Sequence, residues 1–251
     1  MTDDDAHRVL VPVEILRGQV VPETVIDLFA SVPVVLLGYH EIPDQTAPSQ
    51  ARNQFEGKAQ NEIDELVDAF EVRGGEVTTR LVFTHDSMKT FERIALELEC
   101  DSILLLNPAP KLERMLVPIR GGVNVGHIAR LVGTVSASTG VRITLFHVAG
   151  DEASRIDGST LLTAASDELE AVGMSPDRID QSVVVSDDPR EEILAVADDY
   201  DLVVLGEDRP SIRGMIFGDT AEVVADRAVC PVLVVRRPYL EESVEENEYQ
   251  A

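Results

Sequence analysis

The chain has 251 residues, 46 of them acidic and 21 basic, for a formal charge of −25. That charge repels phosphate backbones and anionic lipid surfaces, so nucleic acids and membrane surfaces are excluded as expected partners. Hydrophobic residues make up 44%, too many for a disordered acidic chain, yet no apolar run approaches the ~20 residues of a membrane span.

A first apolar strand is expected at 9–13. After it come a short helix over roughly 23–30, a strand at 34–39, a helix at 58–72, a strand at 77–82, a helix at 88–99 and a strand at 103–106. Asn107-Pro108-Ala109-Pro110 leads into a strand at 115–119. Residues 125–139 carry Val125, Ile128, Ala129, Val132 and Val135 at three- and four-residue spacing, which predicts an amphipathic helix. Gly140 is placed to end it in a left-handed cap. A strand at 142–148, a helix at 159–172 and a strand at 182–186 follow. Asp188-Pro189 reads as an N-cap and first-turn proline that open a helix over 190–199. A strand at 202–205, a loop over 206–218, a short helix at 220–228 and a last strand at 232–236 complete the pattern. The acidic stretch EESVEENEYQA from 241 onward is expected to be disordered.

The pattern is a worn internal repeat. RVLVPVE at 8–14 matches RMLVPIR at 114–120, and IALELECDSILLL at 94–106 matches LAVADDYDLVVLG at 194–206. Apolar strands without alternation, separated by amphipathic helices, mean a parallel sheet covered on both faces. The predicted fold class is therefore α/β, with two tandem doubly wound, Rossmann-like domains. The boundaries fall at 1–110, 111–238 and 239–251 for a truncated first domain, a full second domain and an acidic disordered tail. The first domain has no counterpart of the late loop, last helix and fifth strand. Strand 232–236 would then be a bare apolar edge, and such edges tend to be paired, which predicts a homodimer built on it.

Other signals are sparse. Lysine occurs only at Lys58, Lys89 and Lys111, and the remaining basic residues are arginines. With carboxylates spread along the whole chain, this predicts a halophile-type protein adapted to high salt, where ions screen the mutual repulsion. The opening MTDDDAHR has neither the basic nor the apolar part of a secretory signal, so a cytoplasmic location is expected. Cys100 and Cys230 form no CxxC and no Cys/His cluster, and read as buried thiols. His7, His40, His85, His127 and His147 include no two at metal-ligand spacing, so no metal is expected. His40 and His147 fall at equivalent strand ends, where the choice lies between a pH-sensitive ligand contact and a backbone hydrogen bond. No GxGxxG, P-loop, HExxH or GxSxG motif is present.

The sequence resembles the universal stress protein family in tandem form. The matching features are the LVP strand of both copies, FHV at 146–148, DLVVLG at 201–206 and, most specifically, GDTAEVVADRAVCPVLVV at 218–235. Many members of that family bind ATP in the crevice at the carboxyl ends of the strands. The resemblance thus implies a ligand lying against Pro118, Ile119, Arg120, Val148, Leu205, Gly206, Arg209, Gly218, Asp219 and Thr220.

The family's phosphate pattern is Gly, two residues, Gly, about nine residues, then Gly followed by Ser or Thr, with glycines and a hydroxyl exposing donors to phosphate. Here Gly206 and Gly218 are in place. Arg209 occupies the middle position, Pro210 follows it, the segment is one residue short, and Asp219 replaces the Ser or Thr with Thr220 behind it. Arg120 stands where the family has an adenine-side acid, whereas the first copy keeps Glu14 there but lacks a phosphate loop. In one reading Arg209, Arg213 and Arg120 hold a nucleotide or another small anion. In the other the loop is a relic, Asp219 caps a helix and the arginines pair with carboxylates. ATP as cofactor is therefore left open by a degenerate motif. The resemblance implies a non-enzymatic stress-response or small-ligand-sensing module. The alternatives are an ATP- or AMP-binding protein with slow hydrolysis, or a regulatory partner of a membrane transporter.

Overall fold

A computed structural model describes residues 7–121, 125–206 and 219–236. The described elements are, in order, β1 (Val9–Glu14), α1 (Glu23–Phe29), β2 (Val34–Glu41), α2 (Pro48–Glu71), β3 (Val77–Thr84), α3 (Ser87–Glu97), β4 (Ser102–Leu105), β5 (Arg114–Pro118), α4 (Val125–Ser136), β6 (Arg142–Ala149), α5 (Arg155–Ala171), β7 (Ile179–Val185), α6 (Pro189–Ala197), β8 (Leu202–Gly206), α7 (Asp219–Arg227) and β9 (Val232–Val235). No helix among the described residues is long and apolar enough to cross a membrane.

The strands form one nine-stranded sheet in the order β3-β2-β1-β4-β9-β8-β5-β6-β7. Each half winds outward from its first strand, as expected for a doubly wound α/β layer. Successive side chains of a strand enter opposite cores. In β9, Leu233 and Val235 join one core with α1, α2, α4 and α5, while Val232 and Val234 join the other with α3, α6 and α7. Strands buried on both faces account for the non-alternating apolar runs of the sequence.

The halves meet in a way the sequence reading did not anticipate. β9 pairs with β8 in parallel and with β4 in antiparallel register, Ser102 opposite Val235 and Leu105 opposite Val232. Both hydrogen-bonding edges of the strand are used inside the chain, so the predicted homodimer through 232–236 has no edge to form on. The last strand fills the gap left by the fifth strand missing from the first half. The antiparallel junction also reverses one half relative to the other, so their carboxyl strand ends lie on opposite rims of the sheet.

Smaller differences have local causes. α2 starts at Pro48, ten residues before its expected start, with proline in its first turn, where the absent N–H is not needed. α4 stops at Ser136, and Gly140 is not among the left-handed residues, so the expected glycine cap is replaced by a turn in which Thr139 donates to the Ser136 carbonyl. Asp188 caps α6 as predicted, accepting from the backbone N–H groups of Arg190 and Glu191 at 3.2 Å each, with Pro189 next. The expected disordered tail lies outside the described residues.

Candidate functional site

β5 lies between β8 and β6, so the sheet gathers Pro118, Ile119, Arg120, Val148, Leu205 and Gly206 on one rim at their carboxyl ends. Ile119 and Leu205 are buried, Pro118, Val148 and Gly206 are half-buried, and Arg120 is exposed. Arg209, Arg213 and Gly218 lie outside the described residues. Asp219 and Thr220 open α7, but their side chains also lie outside what is described.

Backbone geometry fixes this rim. The Ile119 N–H donates to the Phe146 carbonyl at 2.8 Å, and the Ile119 carbonyl lies 2.8 Å from His147 Nδ1. His147 thus serves the strand end through a backbone hydrogen bond, with Nδ1–H donating. Gly121 follows with φ +74°, a left-handed turn that suits glycine and redirects the chain towards α4. A Cβ added to Gly206 would lie 2.9 Å from Ile128 Cδ1 on α4. The glycine expected to admit phosphate therefore also lets α4 approach the end of β8. Beneath the rim a cavity of about 10 Å³ is lined by apolar side chains, among them Val117, Ile119, Ile128 and Leu145. It is dry core rather than ligand space.

The equivalent rim of the first half is filled. Ile15, Ile42 and Phe83, at the ends of β1, β2 and β3, pack with Ala51, Ala59 and Ile63 of α2. A Cβ added to Gly38 would lie 2.9 Å from Ile63 Cγ1 and closer still to its Cδ1, so any side chain there requires Ile63 to shift. Glu14, the acid retained in this copy, is ion-paired with Arg17 at 2.8 Å. Burial, reinforced by the charges of Glu14 and Glu41, pushes the Tyr39 hydroxyl up to about 12. His40 packs against Phe55 and Phe83 with ring centroids 6.2 Å apart in each case.

The two histidines are not equivalent. Pro12 pairs with Leu37 and Pro118 with Phe146, so matching the LVP strands sets His147 level with Gly38 and leaves His40 two residues farther along. Both thiols are buried as expected, and burial pushes Cys100 up to about 12 and Cys230 up to about 11. A second, half-open concavity of about 470 Å³ runs along edge strand β3, lined by Arg52, Glu56, Arg80 and Arg93 among others. It lies away from the rim formed by β5, β6 and β8.

One grouping escaped the sequence reading. His7 and His127 are far apart in the chain, yet their ring centroids are 4.2 Å apart and Asp101 lies beside them. Residue spacing carries no signal for it, because the docking of the two halves brings these groups together.

The model of the universal stress protein family matches residues 111–236, half of the chain. Among solved structures, a universal stress protein from Archaeoglobus fulgidus is similar over 92% of this chain and 96% of its own, with a TM-score of 0.61 and 14% identity. A functionally unknown protein from Pseudomonas aeruginosa is similar over 93% of both chains, with a TM-score of 0.52 and 16% identity. The cytoplasmic domain of a prokaryotic cation chloride cotransporter is similar over 92% of this chain and 96% of its own, with a TM-score of 0.55 and 13% identity. These likenesses concern the fold. No curated protein sequence matches the chain. With the strand order, the closing Cys-Pro strand and the family model in agreement, the chain belongs to the universal stress protein family.

Proposed function

We propose that the chain is a non-enzymatic stress-response module in which a truncated first domain, 1–110, supports a full second domain, 111–238, that senses a small anionic ligand. The observation that carries this reading is the difference between the two rims. Ile15, Ile42, Ile63 and Phe83 fill the first, whereas the second keeps Gly206 and the exposed Arg120 at converging strand ends. His147 is held to the Ile119 carbonyl, so its Nδ1 serves the strand end. Asp219 in place of a hydroxyl opposes a triphosphate by an amount on the order of kcal/mol. The ligand we favour is therefore a nucleoside monophosphate or a smaller anion rather than ATP with Mg²⁺. Calorimetric titration with AMP, ATP and inorganic phosphate in high salt tests this. The expected result is micromolar binding of AMP or phosphate that Arg120→Ser weakens about tenfold, or about 1.4 kcal/mol. Absence of heat from all three would overturn the reading, and tight binding with turnover of ATP would favour the slow-hydrolysis alternative.

A second reading is supported by the likeness to the cytoplasmic domain of a cation chloride cotransporter, which extends over both halves. In it the chain is a separate regulatory partner of a membrane transporter. Co-sedimentation of the chain with transporter-containing vesicles, and not with plain lipid vesicles, is the result this reading requires.

A further inference from the structure

Three side chains that bind metals elsewhere in proteins converge where the two halves meet. His7 lies two residues before β1, Asp101 immediately before β4, and His127 in the first turn of α4. One donor atom from each falls within 4.8 Å of the other two. His127 Nε2 is 3.8 Å from Asp101 Oδ1. The Arg8 N–H donates to Asp101 Oδ2 at 2.7 Å, which engages that oxygen and leaves Oδ1 on the histidine side. The backbone of Asp101 is fixed as well. Its N–H donates to the Arg8 carbonyl at 2.8 Å, and its carbonyl accepts from the Arg236 N–H at 2.8 Å. His7 is 8% exposed, and the side chains of His127 and Asp101 are 10% and 32% exposed. The donors are thus largely screened from water while one side stays open to it.

We propose that His7, Asp101 and His127 form a binding site for a divalent transition-metal ion of the zinc class. Two imidazoles and one carboxylate oxygen suit Zn²⁺, Co²⁺ or Ni²⁺ and disfavour Mg²⁺ and Ca²⁺, which take mostly oxygen donors. Metal–ligand bonds of about 2.0–2.1 Å in a tetrahedral site place the donors about 3.3 Å apart. The observed 3.8 Å between His127 and Asp101 is within a small side-chain rotation of that spacing. The Arg8 hydrogen bond would hold the carboxylate in a single-oxygen mode, the orienting role that outer partners have in metal sites. Solvent would take the fourth position. Since His7 and Asp101 belong to the first half and His127 to the second, the ion would tie the halves together beside the β4–β9 junction.

The test uses the full chain stripped with a chelator and titrated with Zn²⁺ against a chromophoric competitor. Excess Mg²⁺ and about 1 M KCl suppress diffuse binding to surface carboxylates. The expected result is one tight equivalent, weakened at least about tenfold in His7→Gln and in His127→Gln, each removing one of three ligands. Co²⁺ should give a visible tetrahedral absorption band in the wild-type chain that both variants lose. Circular dichroism of the metal-free variants checks that they are folded. If a variant is unfolded, protection of the wild-type histidines from diethyl pyrocarbonate by Zn²⁺ takes its place, and unprotected histidines count against the site. No tight equivalent, or affinity unchanged in both folded variants, overturns the proposal.

Discussion

The side-chain amide of Asn107 donates to the carbonyl of Cys230 at 3.0 Å, across 123 positions of sequence. The same nitrogen donates to the Ala228 carbonyl at 3.1 Å. Asn107 lies just beyond β4 in the first half, and the two carbonyls belong to the turn that launches β9. Asn107→Ala removes one donor from two carbonyls and should cost about 1–3 kcal/mol. Urea unfolding followed by circular dichroism measures this, with a lower midpoint and an unchanged slope as the expected outcome.

The filled rim of the first half gives a larger effect. Ile63 is fully buried among Ile15, Ile42, Ala51, Ala59 and Phe83. Ile63→Ala should cost about 2–5 kcal/mol through lost transfer energy and a residual cavity. An exposed residue of the same helix, Glu65, supplies the control. Glu65→Ala should change stability by no more than about 0.5 kcal/mol.

Burial of the two thiols makes two linked predictions. With Cys100 pushed up to about 12 and Cys230 to about 11, the native chain carries almost no thiolate at pH 8. A thiol-reactive dye should leave both unlabelled until guanidinium is added. The ordinary thiol value is 9.0, so above it the unfolded chain loses protons that the folded chain retains. Stability contributed by these groups is full below pH 9.0 and is lost as pH rises towards 11 and 12. Melting temperature should therefore fall across that window, and a Cys100→Ala/Cys230→Ala variant should show a shallower fall.

A net charge of −25 predicts a response to salt. The screening length falls from about 10 Å at 0.1 M to about 3 Å at 1 M, so repulsion among surface carboxylates weakens. Melting temperature should rise steeply from low to molar KCl. A flat profile over that range would remove the argument for salt adaptation.

The sheet was legible in the sequence because its inner strands are buried on both faces. MLVPI and LVVL are too short for helices and sit between helical segments, which reads them as interior strands, and Asp188-Pro189 marks its helix by local chemistry alone. The junction was not legible. Whether VLVV at 232–235 pairs with a second molecule or with β4 depends on which partner is nearer, and covalent linkage raises the local concentration of β4. The rim residues Pro118 to Arg120, Val148, Leu205 and Gly206 were recognisable from the family pattern. The packing of Ile128 against Gly206 and the displacement of His40 from His147 were not, because each depends on register between elements distant in sequence.

With β9 engaged on both sides, the outermost strands are β3 and β7, whose exposed residues include Thr78, Thr79 and Arg80 on one and Asp180 and Gln181 on the other. Such polar borders discourage further strand addition. A polypeptide built this way carries its counterpart in fixed one-to-one proportion, beyond the reach of dilution or exchange between chains. Neither moiety then has to remain a faithful copy of the other. Each can change its own surface while the pairing between them is inherited with the backbone itself.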